Sequence, residues 1–81
     1  MRTVTLYTKP NCPLCDKALE QIELAQAELA RTKTSFTFEQ VNILSDLALY
    51  ECYKHDIPVI CLDGVEIFRH RLTAPDLLAK L

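Results

Sequence analysis

Among its 81 residues the chain has one glycine, Gly64, and no tryptophan. A single glycine rules out a glycine-rich phosphate loop of either the P-loop or the dinucleotide-binding type. An excess of positive charge is missing too. Nine Lys and Arg stand against eleven Asp and Glu, for a net charge of −2 and a pI of about 5.6. Nucleic acid is therefore not expected as a partner, because gripping phosphates needs a basic face. Long hydrophobic runs are absent as well. The longest are about five residues, against the ~20 that a transmembrane helix needs, so no membrane span is expected. Four cysteines, Cys12, Cys15, Cys52 and Cys61, are too few for a dense secreted disulfide scaffold. The first residues, MRTVTLYT, lack the apolar core of a signal peptide. A reducing, cytoplasmic setting is the expectation. There a Cys-x-x-Cys pair is catalytic or metal-binding more often than a permanent staple.

What is present is an ordinary globular composition, 49% hydrophobic and 25% charged, long enough for one domain over residues 1–81. Residues 3–8, TVTLYT, are β-branched and aromatic and predict a strand. Leu14, Ala18, Ile22, Ala25 and Leu29 recur at three- and four-residue steps, which predicts an amphipathic helix over 13–33. Residues 35–43, SFTFEQVNI, predict a strand with Phe36 and Phe38 on one face and Val41 and Ile43 on the other. Apolar residues on both sides suit a sheet covered on both faces. Ser45 is placed to cap a helix over about 46–55. Residues 58–62 and 65–70 flank Asp63-Gly64, a strong hairpin signal. In TAPDLLAKL, Thr73 is the expected N-cap of a last helix, with Pro75 in its first turn and Asp76 at the capping-box position. The order β-α-β-α-β-β-α begins with a parallel crossover and ends with an antiparallel hairpin. It predicts an α/β fold with a four-stranded mixed sheet and helices on both faces.

The chemistry lies in YTKPNCPLC, residues 7–15. Cys12 falls at the start of the first helix, with Pro13 at its first position, where a missing N–H costs nothing. A thiol there faces unpaired backbone N–H groups and the positive end of the helix dipole. Lys9 adds a nearby cation. Such surroundings favour the thiolate, which makes Cys12 the candidate nucleophile. Cys15 lies one turn on along the same edge and is the candidate resolving thiol. Metal binding is the rival use of the pair. On paper Cys12, Cys15, Cys52 and His55 make a Cys₃His set, but Pro13 removes a donor that a zinc knuckle uses. The blander expectation for Cys52 and Cys61 is burial as packing residues. Arg69, His70 and Arg71 read as a solvated strand end, with anion or partner docking as the alternative.

Tyr7-Thr8-Lys9-Pro10-Asn11-Cys12-Pro13-Leu14-Cys15 resembles the glutaredoxin signature, in which a Lys precedes Cys-Pro-Tyr-Cys. Ile57-Pro58-Val59 resembles the thioredoxin-superfamily segment that carries a cis-proline beside the active-site disulfide. The Asp63-Gly64 hairpin and the final helix match as well, so the resemblance spans essentially the whole chain. It is similar to small bacterial-type glutaredoxin-like proteins with Leu before the second cysteine. The resemblance implies a thioredoxin fold and a thiol–disulfide oxidoreductase. Cys12 would be the nucleophile, Cys15 the resolving thiol and Lys9 the thiolate-stabilising cation. Pro13, Leu14, Ile57 and Pro58 would meet the substrate, with the backbone of Ile57 exposed for a substrate chain to pair with. It implies no bound cofactor, a monomer, and a disulfide-containing protein or a glutathione mixed disulfide as substrate. Glutathione or a thioredoxin-reductase-like flavoprotein would be the reductant. In the second class of reading, Cys12 and Cys15 bind a metal or cluster. Two features depart from the family pattern. Leu14 replaces a tyrosine. Phe68-Arg69 stands where glutathione-using members carry Gly-Gly, which opens a helix N-terminus to the γ-glutamyl carboxylate. That second departure favours the flavoprotein as reductant.

Overall fold

A computed structural model describes residues 2–81. The elements run β1 (Thr3–Thr8), α1 (Pro13–Ala30), β2 (Thr37–Asn42), a 3₁₀ turn (Ile43–Ser45), α2 (Leu47–Tyr53), β3 (Val59–Leu62), β4 (Val65–Arg69) and α3 (Ala74–Lys80). The sheet order is β2-β1-β3-β4. β1 pairs in parallel with β2, from Thr3 with Thr37 to Thr8 with Asn42. β3 pairs antiparallel with both β1 and β4. This is the expected four-stranded mixed sheet.

The alternation along β1 and β3 decides what covers each face. Val4 and Leu6 of β1 lie opposite Leu62 and Ile60 of β3. They pack under Ala18, Ile22 and Ala25 of α1 and Ala74 and Leu77 of α3. Leu6, Ile22, Ile60 and Leu77 are fully buried. Each such side chain contributes roughly 1.5–3 kcal/mol of burial relative to exposure, so this layer supplies most of the apolar stabilisation. On the other face Tyr7 stacks on Tyr53 of α2, ring centroids 4.8 Å apart. Leu49, Tyr50 and Tyr53 of α2 pack there against Ile43, Ile57 and Cys15. No helix among the described residues is long and apolar enough to cross a membrane.

Several boundaries differ from the sequence reading, each for a local reason. The helix expected over 13–33 ends at Ala30. The N–H of Thr34 donates to Leu29 O and that of Lys33 to Ala30 O, with Lys33 at φ 58°. This is the Schellman pattern with lysine in the position usually held by glycine. β2 begins at Thr37 rather than residue 35 and stops before Ile43, where the chain tightens into the 3₁₀ turn. Asp46, not Ser45, caps α2, and its Oδ1 accepts from Ala48 and Leu49 N–H. Ser45 Oγ instead donates to Asn42 O. The Asp63-Gly64 turn has φ 50° and 84° at its two central residues, as a type I′ hairpin requires. Cys61 is buried in β3, but Cys52 is exposed, against the expectation that it packs inside. The short α2 turns Leu49, Tyr50 and Tyr53 to the sheet, which leaves position 52 facing solvent.

Candidate active site

The site forms where β1 hands the chain to α1. Asn11 adopts φ 59°, a left-handed conformation that asparagine tolerates better than most residues. That turn sets Cys12 as the extended N-cap of α1 (φ −117°, ψ 101°), with Pro13 behind it in the first turn. Cys12 O accepts the first helical bond, from Asp16 N–H at 3.0 Å. Its Sγ accepts the Cys15 N–H at 3.3 Å, so sulfur fills the role that a serine or aspartate oxygen has in other caps.

Cys12 and Cys15 are joined as a disulfide with Cα atoms 5.2 Å apart, inside the usual range for such bonds. The two sulfurs are not equivalent. Cys15 is buried in a cluster with Ile43 and Ile57, whereas Cys12 is partly exposed at the edge of the same cluster. Pro13 is exposed, and Leu14 is 42% exposed, so an apolar rim borders the disulfide.

Pro58 is fully buried and follows a cis peptide bond from Ile57. The backbone of Ile57 is less open than the sequence reading implied. Its N–H donates to Tyr53 O at 3.2 Å and is used within the fold. Pro58 O accepts the His70 N–H at 2.8 Å, and this ties the end of β4 to the proline. Lys9 is exposed. With Thr8, Pro10, Asp16, Gln40 and Asn42 it lines a cleft of about 390 Å³ on the β2 side of the cysteines.

The pair Phe68-Arg69 lies within β4, so the chain turns away from the sheet one residue later, at His70. His70 has φ 70°, and the N–H of Arg71 bonds back to Arg69 O at 2.8 Å. In the basic cluster at the end of β4, Arg69 and His70 have acidic partners. Arg69 makes two bonds to the Glu66 carboxylate, at 2.6 and 2.8 Å, and a 3.3 Å ion pair with Asp56. His70 Nε2 lies 3.6 Å from the same Asp56 oxygen. The Arg69 guanidinium holds the Glu66 carboxyl below its ordinary range. Burial, and after it Glu66, pushes the Cys61 thiol up. Burial is also the main cause that raises the Tyr53 phenol.

Cys52 and His55 are both exposed. Among the described residues no three His, Cys, Asp or Glu side chains gather as a metal site, so the Cys₃His set is not assembled. Three features had no clear signal in the sequence. The tyrosines Tyr7, Tyr50 and Tyr53 pack against the disulfide cluster. Asp56 lies beside both Arg69, the last residue of β4, and His70. Gln21 of α1 accepts a bond from the backbone of Ala74, at the start of α3.

A glutaredoxin-like domain model, DUF836, matches residues 3–81. A curated relative, the glutaredoxin-like protein YDR286C homolog of Dictyostelium discoideum, is 34% identical over 71 residues. The match covers 85% of this chain but only 65% of that relative, so the chain spans just under two thirds of its length. Among solved structures, the structural genomics target XcR50 from X. campestris superposes with a TM-score of 0.75 at 31% identity. That match covers 95% of this chain and 92% of the other. Thioredoxin-2, described as a component of malaria parasite protein secretion machinery, superposes with a TM-score of 0.74 at 16% identity. It covers 99% of this chain and 80% of its own, and it shows the shared thioredoxin fold alone. With the model matching nearly its full length and these relatives alongside, the chain belongs to the glutaredoxin-like (DUF836) domain family of the thioredoxin superfamily.

Proposed function

We propose that the protein is a dithiol-type thiol–disulfide oxidoreductase, with Cys12 as nucleophile and Cys15 as resolving thiol. The observation that carries this reading is the placement of the pair. Cys12 Sγ caps a helix N-terminus and is partly exposed, while Cys15 sits behind it, bonded and buried. The cap N–H groups and the helix dipole stabilise a Cys12 thiolate, and Lys9 adds positive charge to the same loop. Pro13 and Leu14, both exposed, form the ground on which the substrate disulfide lies, while Ile57 packs with Cys15 behind the pair and Pro58 is buried beside it.

In the reductive direction the Cys12 thiolate attacks one sulfur of the substrate disulfide. The substrate S–S bond breaks, its far sulfur leaves as a thiolate and takes up a proton, and a mixed disulfide with Cys12 forms. The Cys15 thiol gives up its proton and its thiolate attacks Cys12 Sγ. The mixed disulfide breaks and releases the second substrate sulfur as a thiol. Two electrons have passed from the protein's dithiol to the substrate. An external thiol or flavoprotein reductase returns the Cys12–Cys15 disulfide to the dithiol.

The reading is tested by mixing fully reduced protein with insulin and counting thiols. The wild type is expected to oxidise Cys12 and Cys15 together as insulin disulfides are reduced. Cys12→Ser is expected to leave insulin unreduced. A Cys12→Ser protein that reduces insulin as fast as the wild type would falsify the assignment.

A further inference from the structure

We infer that a cavity between α1 and the turn after β4 receives an acidic side chain of the substrate. The protein then selects polypeptide disulfides that carry an aspartate or glutamate two or three residues from the reacting cysteine. The inference rests on the redox reading above and concerns the substrate class of that same site. The cavity measures about 430 Å³ and is lined by Leu14, Lys17 and Glu20 on the helix side and by residues 70–73 on the other. Leu14 also forms part of the exposed rim beside the disulfide, so the cavity opens next to the reacting sulfurs.

Charge sets what fits there. The whole chain has a net charge of −2, yet this wall is basic. Arg69, just before it, is held by Glu66 and Asp56, and Asp56 also lies beside His70. Lys17 and Arg71 are exposed and have no acidic partner among the described residues. Against them stands Glu20, almost two turns along α1 from Leu14. Even with His70 neutral the lining keeps one net positive charge, which suits a single carboxylate.

The backbone offers donors in the same place. The His70 and Arg71 N–H groups are used, by Pro58 O and Arg69 O. Those of Leu72 and Thr73 have no partner among the described residues. Leu72 is only 8% exposed, so its N–H is left to water or to a molecule in the cavity. A carboxylate accepts from N–H groups and from cations alike. Lys17 stands five positions after Cys12, which is roughly 7–8 Å of helix at ~1.5 Å per residue. An extended substrate at ~3.3 Å per residue crosses that span in two or three residues. Pro13 and Leu14, both exposed, lie between Cys12 and Lys17 and give such a chain an apolar surface to cross.

Blocked peptides test the inference. Each has one cysteine in a mixed disulfide with mercaptoethanol, and Glu, Gln or Lys two or three residues to either side. Exposed ion pairs are individually weak, so the expected preference is modest: the best Glu peptide reacts about three- to tenfold faster than its Gln counterpart, and Lys is slowest. The preference is expected to shrink as NaCl is raised from ~0.05 to ~0.5 M. If no Glu peptide leads its Gln counterpart by more than about twofold, the inference fails. In Lys17→Gln/Arg71→Gln the ratio is expected to fall to about one. A ratio kept in that double variant would place the recognition elsewhere, at Lys9 for instance, and overturn the assignment. Oxidised glutathione, which carries carboxylates on a tripeptide only, is expected to react no faster than the Glu peptide. An advantage for it of about tenfold would overturn the polypeptide as occupant.

Binding is read apart from chemistry. The Glu peptide with serine in place of its cysteine is titrated against oxidised, isotope-labelled protein, and the amide signals of Leu72 and Thr73 are followed by NMR. Saturable shifts are expected with the Glu peptide and not with its Gln counterpart. Equal shifts with both, or none with either, would overturn the inference. If no peptide disulfide reacts, the redox reading fails, and the titration still decides whether the cavity holds a carboxylate.

Discussion

Cys15 is 2% exposed, while Cys12, with its Cα only 5.2 Å away, is open to solvent on one side. That difference supports the division of roles proposed for two chemically identical groups, in which a large substrate brings its sulfur to Cys12 and not to Cys15. Cys15→Ser is therefore expected to react once and then stall. Mass spectrometry of Cys15→Ser mixed with insulin should show a persistent adduct through Cys12, while the wild type shows little. An adduct that forms through position 15 in Cys12→Ser at the same rate would reverse the two roles.

The cysteines other than Cys15 also predict an order of reactivity among themselves. In the reduced protein Cys12 sits at the helix N-terminus, Cys52 is exposed on α2, and Cys61 is buried with its thiol pushed up by burial and by Glu66. Alkylation by iodoacetamide near neutral pH is expected to proceed fastest at Cys12, then at Cys52, and slowest at Cys61. Peptide mapping over time reads the order. Cys61 modified as quickly as Cys52 in folded protein would contradict the packing described for β3.

Signals that lie within a few residues of each other were legible in the sequence, and long-range ones were not. Pro13 after Cys12, Thr73 before Pro75, and Asp63-Gly64 each specify their element through adjacent backbone chemistry, and each forms as read. The end of α1 was misread because its left-handed residue is Lys33, which carries no glycine signal. Ser45 and Asp46 are both good caps, and only the 3₁₀ turn that uses Ser45 decides between them. The misreading of Cys52 has a similar origin. The helix is two turns long, too short for its periodicity to show which side faces the sheet. At the candidate site, the cysteine pair and Pro58 were readable from motif alone. The bond from Ala74 to Gln21 and the seating of Ile57 under Tyr53 depend on contacts that no local pattern encodes.

Core packing gives a prediction about stability that does not depend on the redox reading. Leu6 and Ile22 are fully buried between the sheet and α1, whereas Leu47 is 76% exposed. Leu6→Ala or Ile22→Ala is expected to cost about 2–5 kcal/mol, through lost burial and the cavity left behind. Leu47→Ala is expected to stay within ~0.5 kcal/mol of the wild type. Urea unfolding measures both, provided the slope stays constant so that the midpoint shift reports stability. A Leu47→Ala loss as large as that of Leu6→Ala would mean that α2 packs differently.

The hairpin end of the sheet predicts an acid-sensitive contribution. Asp63 Oδ1 accepts the Thr3 N–H at 2.8 Å, and Oδ2 pairs with Arg2 Nε at 2.9 Å. The bond from Thr3 and the pairing with Arg2 hold the Asp63 carboxyl below its ordinary value in the folded chain. A carboxyl lowered on folding stabilises the protein fully above its unfolded pKa, near ~3.9. The contribution fades as pH falls through that value toward the lower folded one. Asp63→Asn keeps an oxygen for Thr3 and tolerates the left-handed φ of 50°, but it cannot titrate or pair with Arg2. It is expected to be less stable than the wild type at neutral pH, and the gap should close as the solution is acidified below about pH 4. Asp63→Ala loses both contacts and should be weaker than Asp63→Asn at neutral pH. Glu66, lowered by Arg69, keeps its own acid dependence in all three proteins, so the Asp63 effect is read from differences between them. A gap between wild type and Asp63→Asn that stays constant from neutral to acid pH would show that the Asp63 charge does not help hold the turn to β1.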